Sequence, residues 1–396
     1  MDLLATLMQQ LDAAASEIIR IRRELHQHPE VSFHEQWTAA YIKRFYAGFD
    51  CPVTDYGDGY GFAVDIPGGQ SGPTLALRAD FDALAVQEDN DLPFKSQQPG
   101  VMHACGHDGH TAYMMVLART LWQLRDQLPG RVRIIHQPAE EVSPGGAQGM
   151  LAAGVLTGVD NVLGAHVMTS MPTGTVGYHV RETQTGRANF TVTVVGKGGH
   201  ASMPHLANDA IVAGSYFVTA LQTVVSRRVD PFDTASVTIG SFDGVGSFNA
   251  IKQNVTLKGD VRVMKESTRV TVRQQIEQIA QGVAAMFGVQ VDVDYDDNYP
   301  VLFNDPDLTM QAVHNIQSAN IPEVRAVTDV GPQDPSEDFA YFAQALPSTF
   351  LYIGCDPDDG QSHPHHSPNF LMNEDCLIIA AKAVGAAAVE YLQQHK

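Results

Sequence analysis

The chain has 396 residues, more than a single hydrophobic core usually serves, so we expect two domains. Hydrophobic residues make up 44% and charged residues 18%, which is typical of a globular enzyme and excludes a disordered or fibrous chain. The formal net charge of −20 argues against nucleic acid or an anionic membrane surface as partner, because both need clustered Lys and Arg.

The cysteines are scattered along the chain without a Cys-x-x-Cys pair, at positions 51, 105, 355 and 376. Neither a disulfide framework nor a structural zinc knuckle is therefore expected, and a reduced, cytoplasmic setting fits best. The first residues lack the basic segment and long apolar stretch of a signal peptide. No window approaches the ~18 apolar residues of a membrane span, so we expect no membrane partner.

The first predicted elements are helices. Apolar residues at helical spacing predict a helix over 3–25, which ends before Pro29 because proline disfavours helical geometry in the preceding residue. A second helix is predicted over 35–46. For His26 and His28, which follow the first helix, we favour structural polar roles.

Two strands are predicted next, over 60–66 and 74–79, with a turn between them. The second strand runs into Asp80 and Asp82. Open α/β sheets carry their chemistry just beyond the carboxyl ends of their strands, so this pair is a candidate part of a site. A solvated turn is the alternative.

The segment Met102–Thr111 holds four potential metal ligands: His103, Cys105, His107 and His110. Cys105 and His107 lie two residues apart, so on a loop they can reach toward one side, as thiolate and imidazole ligands of a divalent metal do. A helix is predicted over 111–128.

A strand over 131–137 delivers the adjacent Glu140 and Glu141, and a strand over 161–165 delivers His166. Ligand-type side chains at successive strand ends indicate one common edge. Neighbouring side chains on extended backbone point in opposite directions, so one glutamate can ligate a metal while the other acts as general base. Spacing alone leaves open which does which.

From about residue 185 the pattern changes to the βαββαβ order of a ferredoxin-like unit. Its predicted elements are a strand over 190–195, a helix over 206–227, strands over 235–241 and 254–264, a helix over 268–287 and a strand over 289–295. We expect an inserted domain over 186–295 and a catalytic domain built from 1–185 and 296–396. A glycine-rich turn of the insertion holds His200, which could donate a hydrogen bond to a developing oxyanion.

After the insertion, Ser336 is predicted to open a helix with Glu337 and Asp338 in its first turn. A strand over 349–354 precedes a loop with histidines at 363, 365 and 366, one of which we expect in the site. The candidate ligands exceed what one catalytic zinc requires, which predicts two metal ions sharing a bridging water.

Together these segments resemble a family of metallo-amidohydrolases that includes aminoacylases, hippurate hydrolases, plant auxin-conjugate hydrolases and, more distantly, carboxypeptidase G type exopeptidases. The resemblance spans nearly the whole chain and rests on motifs at 23–30, 78–84, 102–110, 137–141, 198–201, 336–339 and 366–368. It implies an α/β catalytic domain of the zinc-exopeptidase type, with a mixed sheet flanked by helices, and an inserted ferredoxin-like α+β lid.

The resemblance also implies residue roles. Cys105 would bridge two divalent metal ions, and Glu140 would be the general base. Zinc or manganese is expected as the metal in preference to cobalt or nickel. The other implied ligands are His107, Glu141, His166 and His366. From the lid, His200 would stabilise the oxyanion, acting across a dimer in the wider superfamily, and Asn249 would assist substrate binding. Asp82 would orient a metal-site group.

The chain departs from the family pattern at two places. Leu84-Ala85 stands where the family usually has Leu-Pro, and Asn249-Ala250-Ile251-Lys252 stands where it usually has Asn-Val-Ile-Pro. Neither change removes a ligand or the base. The second lies beside the implied substrate contact, so it bears on the preference for the acyl group or amino acid.

The expected function is metal-dependent hydrolysis of the amide bond of an N-acyl or N-aroyl amino acid by a cytoplasmic homodimer or higher homo-oligomer. A dipeptidase or aminoacyl carboxypeptidase of the same architecture is the nearest alternative. A cysteine hydrolase with Cys105 as nucleophile and His107 as base is an alternative of another class. A non-catalytic binding protein is the third alternative.

Overall fold

The computed structural model describes residues 2–57 and 59–396 and divides the chain into two compact units. Unit 1 comprises the chain up to Arg181, Phe303–Gly331 and Asp338–Lys396. Unit 2 comprises Glu182–Leu302 and Pro332–Glu337.

Helices and strands alternate through most of the described chain. The helices are α1 (Leu3–Gln27), α2 (Gln36–Ala47), α3 (His107–Leu124), α4 (Gly146–Ala152), α5 (Ala210–Arg228), α6 (Glu266–Phe287), α7 (Pro306–Ser318), α8 (Ala340–Ala345) and α9 (Cys376–Gln394). The first eight strands are β1 (Val53–Asp55), β2 (Phe62–Pro67), β3 (Gln70–Asp80), β4 (Pro129–Gln137), β5 (Asn161–Pro172), β6 (Thr175–Tyr178), β7 (Arg181–Gln184) and β8 (Gly186–Val195). The others are β9 (Gly199–His200), β10 (Ala235–Asp243), β11 (Ala250–Ile251), β12 (Asn254–Val263), β13 (Gln290–Tyr299), β14 (Leu302–Asn304), β15 (Ala326–Asp329) and β16 (Ser348–Asp356).

Unit 1 is built on an eight-stranded mixed sheet in the order β1-β2-β4-β3-β5-β16-β6-β15. Its centre is parallel: β3 pairs with both β4 and β5, and β5 pairs with β16. The apolar residues of these strands are buried because helices cover the sheet, as seen at Leu75, Val132, Val162 and Leu351. The predicted mixed α/β fold, with a large sheet flanked by helices, is confirmed.

The register of the central strands places the candidate residues at one edge of the sheet. Asp80, at the end of β3, pairs with Gln137, at the end of β4. Arg78 pairs with Gly164 of β5, so His166 lies level with Asp80. The structure extends β5 to Pro172, so His166 lies within this strand and not after its end. The common edge nevertheless forms, because the register determines it.

Helix α9 fills the centre of the helical layer and packs against α1, α3 and α7. Among the described residues it is the one helix long and apolar enough to cross a membrane. An 18-residue window of this helix has a mean hydropathy of 1.4. That window is 83% buried inside the unit, as in the core helix of a folded domain.

Unit 2 has a four-stranded antiparallel sheet in the order β10-β12-β8-β13, with α5 and α6 packed on it. Apolar side chains alternate along β8, where Ala188, Phe190, Val192 and Val194 are buried. The strand order is that of the ferredoxin-like arrangement.

One predicted helix start is wrong. Helix α8 begins at Ala340, and none of the described side chains caps its N-terminus, so Ser336 does not open it. The Asp338 carboxylate is fully buried and accepts hydrogen bonds from Arg78 (2.9 Å) and Gln137 (2.7 Å). Leaving the buried Arg78 without a carboxylate partner would cost more free energy than leaving a helix end uncapped in water. The Arg78–Asp338 ion pair therefore determines the local conformation.

A second buried ion pair joins α1 to the start of α3. Arg22 Nε lies 2.8 Å from Asp108 Oδ2, and both side chains are at most 1% exposed. His26 Nδ1 lies 2.7 Å from the same oxygen. Although burial works against the ionised form, Arg22 and His26 hold the pKa of Asp108 well below its usual range.

Replacing Arg22 with methionine should lower the free energy of unfolding by about 3–5 kcal/mol, because Asp108 is left buried without its cation. Urea denaturation followed by circular dichroism measures the change. The matched control on the same helix is Arg20→Met, which removes a pair with Glu24 at 3.3 Å from a side chain that is 59% exposed. That variant should change stability by less than about 0.5 kcal/mol, and equal losses in the two variants would contradict the prediction.

Candidate metal centre

The segment between β3 and α3 is held against the sheet edge by a glycine. Gly106 has φ +89°, and a Cβ there would lie 2.5 Å from Val167 Cγ2 of β5. Only glycine fits both the backbone conformation and the space. Cys105 and His107, on either side of it, are 9% and 0% exposed. The tight turn therefore brings a thiol and an imidazole to the edge of β5.

Cys105, His107 and His166 form a first group whose donor atoms lie within 4.8 Å of one another. Cys105 Sγ is 3.4 Å from His166 Nε2. The other ring nitrogen, His166 Nδ1, donates to the Val167 carbonyl at 2.6 Å. In the neutral ring this leaves the Nε2 lone pair directed toward the sulfur.

Cys105 also belongs to a second group, with Glu141 and His366. Glu141 Oε2 lies 3.4 Å from His366 Nε2. His366 adopts φ +63°, and its N–H donates to the carbonyl of Ala104 at 2.8 Å, which fixes the histidine loop beside the cysteine. Two groups of donor atoms thus share one sulfur.

Asp82 joins three parts of the site through its carboxylate. Oδ1 lies 3.1 Å from His107 Nδ1, while Oδ2 accepts from Ser32 Oγ at 2.7 Å and from the Glu141 N–H at 3.0 Å. The carboxylate orients the imidazole so that His107 Nε2 points away from it. It also fixes the backbone of Glu141.

Burial and neighbouring charge shift the acidity of these groups. Burial opposes protonation of His107, but Asp80 and Asp82 outweigh it and raise the pKa of His107 to about 10. Burial, followed by the charges of Glu141 and Glu140, raises the pKa of the Cys105 thiol well above its usual range. Without compensating positive charge, this site therefore holds protons on two of its donor groups.

The donor set fits divalent metal ions. His107 Nε2 and Glu141 Oε1 are buried, have no hydrogen-bond partner among the described residues and lie 3.8 Å apart. Buried polar atoms without partners cost free energy unless a ligand satisfies them. Imidazole nitrogen, thiolate and carboxylate oxygen are the ligand types of zinc and similar ions.

The three loop histidines have different surroundings. His365 Nδ1 lies 3.7 Å from Cys105 Sγ, and His365 Nε2 accepts from the Thr169 N–H. His366 faces Glu141, and its side chain is 55% exposed. His363 lies apart from both and pairs with Asp359. Residue types alone could not rank His365 against His366, because the positive φ at His366 determines their directions.

The other histidines of the opening motif lie behind the site. His110 Nδ1 is 2.6 Å from Asp80 Oδ1, and His110 Nε2 accepts from the Val167 N–H at 3.0 Å, so both nitrogens have partners. His103 is 1% exposed, and burial lowers its pKa to about 4. These surroundings fit structural roles for both histidines, although the sequence counts them among the potential metal ligands.

In unit 2, His200 and Asn249 lie side by side. The short strands β9 and β11 pair His200 with Ala250, the residue after Asn249. His200 Nδ1 accepts from the Ser202 N–H at 3.2 Å, which puts the proton of the neutral ring on Nε2. Ser247 Oγ donates to Asn249 Oδ1 at 2.5 Å. Both side chains are exposed.

Comparison with known proteins identifies the family. The model of peptidase family M20/M25/M40 matches residues 76–390. The chain belongs to this family. A solved structure from Bacillus subtilis, described as a dinuclear metal-binding peptidase of the M20 family, is 31% identical, with a TM-score of 0.83 and coverage of 96% of this chain and 99% of that chain.

Two curated relatives differ in activity. An N-acyl-L-amino acid amidohydrolase of Geobacillus stearothermophilus is 38% identical over 294 residues, 74% of this chain and 80% of that protein. Thermostable carboxypeptidase 1 of Saccharolobus solfataricus is 33% identical and covers 99% of both chains.

The predicted resemblance is confirmed, and the M20-family chain is an enzyme, a metal-dependent amidohydrolase or peptidase. Its candidate centre contains overlapping His, Cys and carboxylate groups able to hold metal ions. Family membership disfavours both the cysteine hydrolase and the non-catalytic binding protein as readings of the chain.

Proposed function

We propose that the protein hydrolyses the amide bond of N-acyl or N-aroyl amino acids with two divalent metal ions. The observation that carries the proposal is the pair of donor groups that share Cys105 Sγ, with Glu140 beside them. The amidohydrolase relative supports the substrate class.

We assign the ligands from the two groups. His107 and His166 would hold one ion, Glu141 and His366 the other, and Cys105 would bridge them as thiolate. The charges of two bound ions would offset the burial and the carboxylates that raise the pKa of the Cys105 thiol, and so would favour the thiolate. Asp82 would hold His107 in orientation.

Glu140 is proposed as the general base. Its carboxylate lies in a group with His107 and Glu141 whose donor atoms are within 4.8 Å, and the residue is 6% exposed. When bound, two divalent ions lower the pKa of water and polarise the substrate carbonyl. A Glu140 carboxylate oxygen then accepts the proton of the attacking water and returns it to the departing amide nitrogen.

His200 is proposed to donate a hydrogen bond from Nε2 to the developing oxyanion, and Asn249 to contact the substrate. Replacing His200 with alanine should lower kcat by about 100-fold, as the loss of an oxyanion donor does. Bound metal, measured by mass spectrometry, should not change. The control is His205→Ala, another exposed histidine of unit 2, with kcat expected within about twofold of wild type. A metal-depleted His200→Ala protein would count against the role.

A substrate panel tests the proposed function. Metal-reconstituted enzyme would be assayed with an N-acetyl amino acid, an N-benzoyl amino acid and a free dipeptide. The proposal expects the two acylated substrates to be cleaved faster than the dipeptide. Preference for the dipeptide would favour the dipeptidase or carboxypeptidase alternative, which the carboxypeptidase relative supports.

The finer properties are also proposals. We propose zinc or manganese as the bound ions, with cobalt or nickel as substitutes, because the donors are nitrogen, sulfur and oxygen together. We propose a cytoplasmic enzyme, since the described cysteines are free and buried. A homodimer or higher homo-oligomer is proposed, and light scattering tests it. No nucleic-acid partner is proposed for a chain of net charge −20.

A further inference from the structure

The segment 30–35, between α1 and α2, lies directly behind the candidate centre. The Glu30 carbonyl accepts from the Ala83 N–H at 2.8 Å, next to Asp82. Ser32 Oγ donates to the Asp82 carboxylate at 2.7 Å. The segment therefore contacts the residue that orients His107.

Glu35 ends this segment and is 0% exposed. As the residue before α2 it could cap the helix, but its side chain makes no cap bond. The Glu30 carboxylate accepts the N–H groups of Trp37 and Thr38 instead. Glu35 Oε1 accepts from the Ala139 N–H at 2.8 Å, and Oε2 has no hydrogen-bond partner among the described residues. Burying a carboxyl group with one oxygen unpaired costs free energy of folding, which suggests that the group is kept for its function.

Ala139 is the residue immediately before Glu140 and Glu141, and it adopts φ +52°. An alanine rarely takes this left-handed conformation, because its Cβ crowds the backbone. Two hydrogen bonds hold it: its N–H donates to Glu35, and its carbonyl accepts from the Gly146 N–H at 2.9 Å. These bonds fix the peptide planes on both sides of Ala139. They therefore also fix the direction in which the backbone enters Glu140 and Glu141.

We propose that Glu35 is a positioning residue for hydrolysis, whose carboxyl holds Ala139 in its left-handed conformation so that Glu140 and Glu141 face the metal centre. The inference rests on the proposed function for the roles of these two glutamates. It assigns to Glu35 a task that neither its position at the start of α2 nor its residue type indicates.

The surroundings of Glu35 agree with this role. Burial, together with the charge of Asp82, raises the pKa of Glu35 to about 8. A neutral carboxyl still accepts the Ala139 N–H and adds no charge beside Asp82. A glutamine, which keeps the acceptor oxygen, should therefore substitute for it.

Three variants and one double variant test the proposal. Glu35→Ala should lower kcat by about 30-fold with KM within about threefold, because the turn loosens but the substrate contacts remain. One ion, the one held by Glu141, should bind about tenfold more weakly. Glu35→Gln should keep kcat and the affinity of both ions within about threefold of wild type. Ala139→Gly alone should have little effect on either.

The double variant separates positioning from packing. Glycine adopts positive φ without steric cost, so Ala139→Gly in the Glu35→Ala background should restore kcat and the weaker metal affinity by about tenfold. A cavity left by the missing side chain would not be repaired by that change. The control is Asp160→Ala, which removes an exposed carboxylate that accepts a hydrogen bond from the Thr74 N–H at 2.8 Å, far along β3 from Asp80. It should leave kcat and metal affinity unchanged.

Metal binding is measured without substrate, so it separates a failure of the proposed function from a failure of the positioning role of Glu35. Titration with Zn²⁺ and Mn²⁺ of wild type that shows no binding would overturn the proposed function. Two tight ions in wild type and equally tight ions in Glu35→Ala would overturn the role of Glu35. So would a loss of kcat that Ala139→Gly does not reverse, or a Glu35→Gln enzyme as impaired as Glu35→Ala. Circular dichroism of each variant establishes folding.

Discussion

Replacing Glu140 with alanine should lower kcat by about a thousandfold and leave both metal ions bound. In our assignment Glu140 touches the reacting water but coordinates no ion, so its loss removes proton transfer alone. Its carboxylate is buried and lies in one group with His107 and Glu141, so it would be within reach of a water held at the metal centre. Steady-state kinetics and metal analysis of the same preparation measure the two quantities.

The neighbouring glutamate supplies the control. Glu141→Ala should also lose turnover, but through loss of an ion, because it removes the carboxylate that would hold one ion together with His366 and Cys105. Excess metal should restore part of the activity of Glu141→Ala and none of that of Glu140→Ala. A Glu140→Ala enzyme with wild-type kcat would refute the assignment of the base.

Replacing Cys105 with alanine should remove both ions and reduce turnover to the background rate. The thiol belongs to both donor groups, so each ion loses a ligand at once, along with the negative charge between them. Cys105→Asp should recover binding of both ions with Mn²⁺, since a carboxylate can bridge two ions and suits a hard cation. Mass spectrometry under native conditions counts the ions.

Cys51→Ala is the matched control, because Cys51 is another buried free thiol, only 4% exposed, that belongs to none of these donor groups. It should bind two ions and keep its activity. A Cys105→Ala protein that still holds two ions would mean that the sulfur is not shared between them.

Much of the fold follows from periodicity. The strands that deliver Asp80 and Glu140 are short apolar runs with turn residues at their ends, and both appear close to their predicted positions. The ferredoxin-like order of unit 2 follows from the alternation of strand and helix patterns. These features are local, so the sequence near each element determines them.

The features that sequence reasoning missed depend on partners far along the chain. Ser336 has the residue type of a helix cap. However, Arg78, which is 260 residues away along the chain, donates a hydrogen bond to Asp338, and the helix begins only after that residue. Glu35 contacts Ala139 across 104 residues, and no local pattern signals that bond. A non-glycine residue at positive φ, such as Ala139 or His366, can be seen only once the backbone is known.

The most direct test of the account is anomalous diffraction from crystals of the metal-reconstituted enzyme, recorded on either side of the metal absorption edge. We predict two peaks about 3.5–4 Å apart, each in contact with Cys105 Sγ, one beside His107 and His166 and the other beside Glu141 and His366. A single peak, or two peaks of which neither contacts the sulfur, would contradict the shared-thiolate centre.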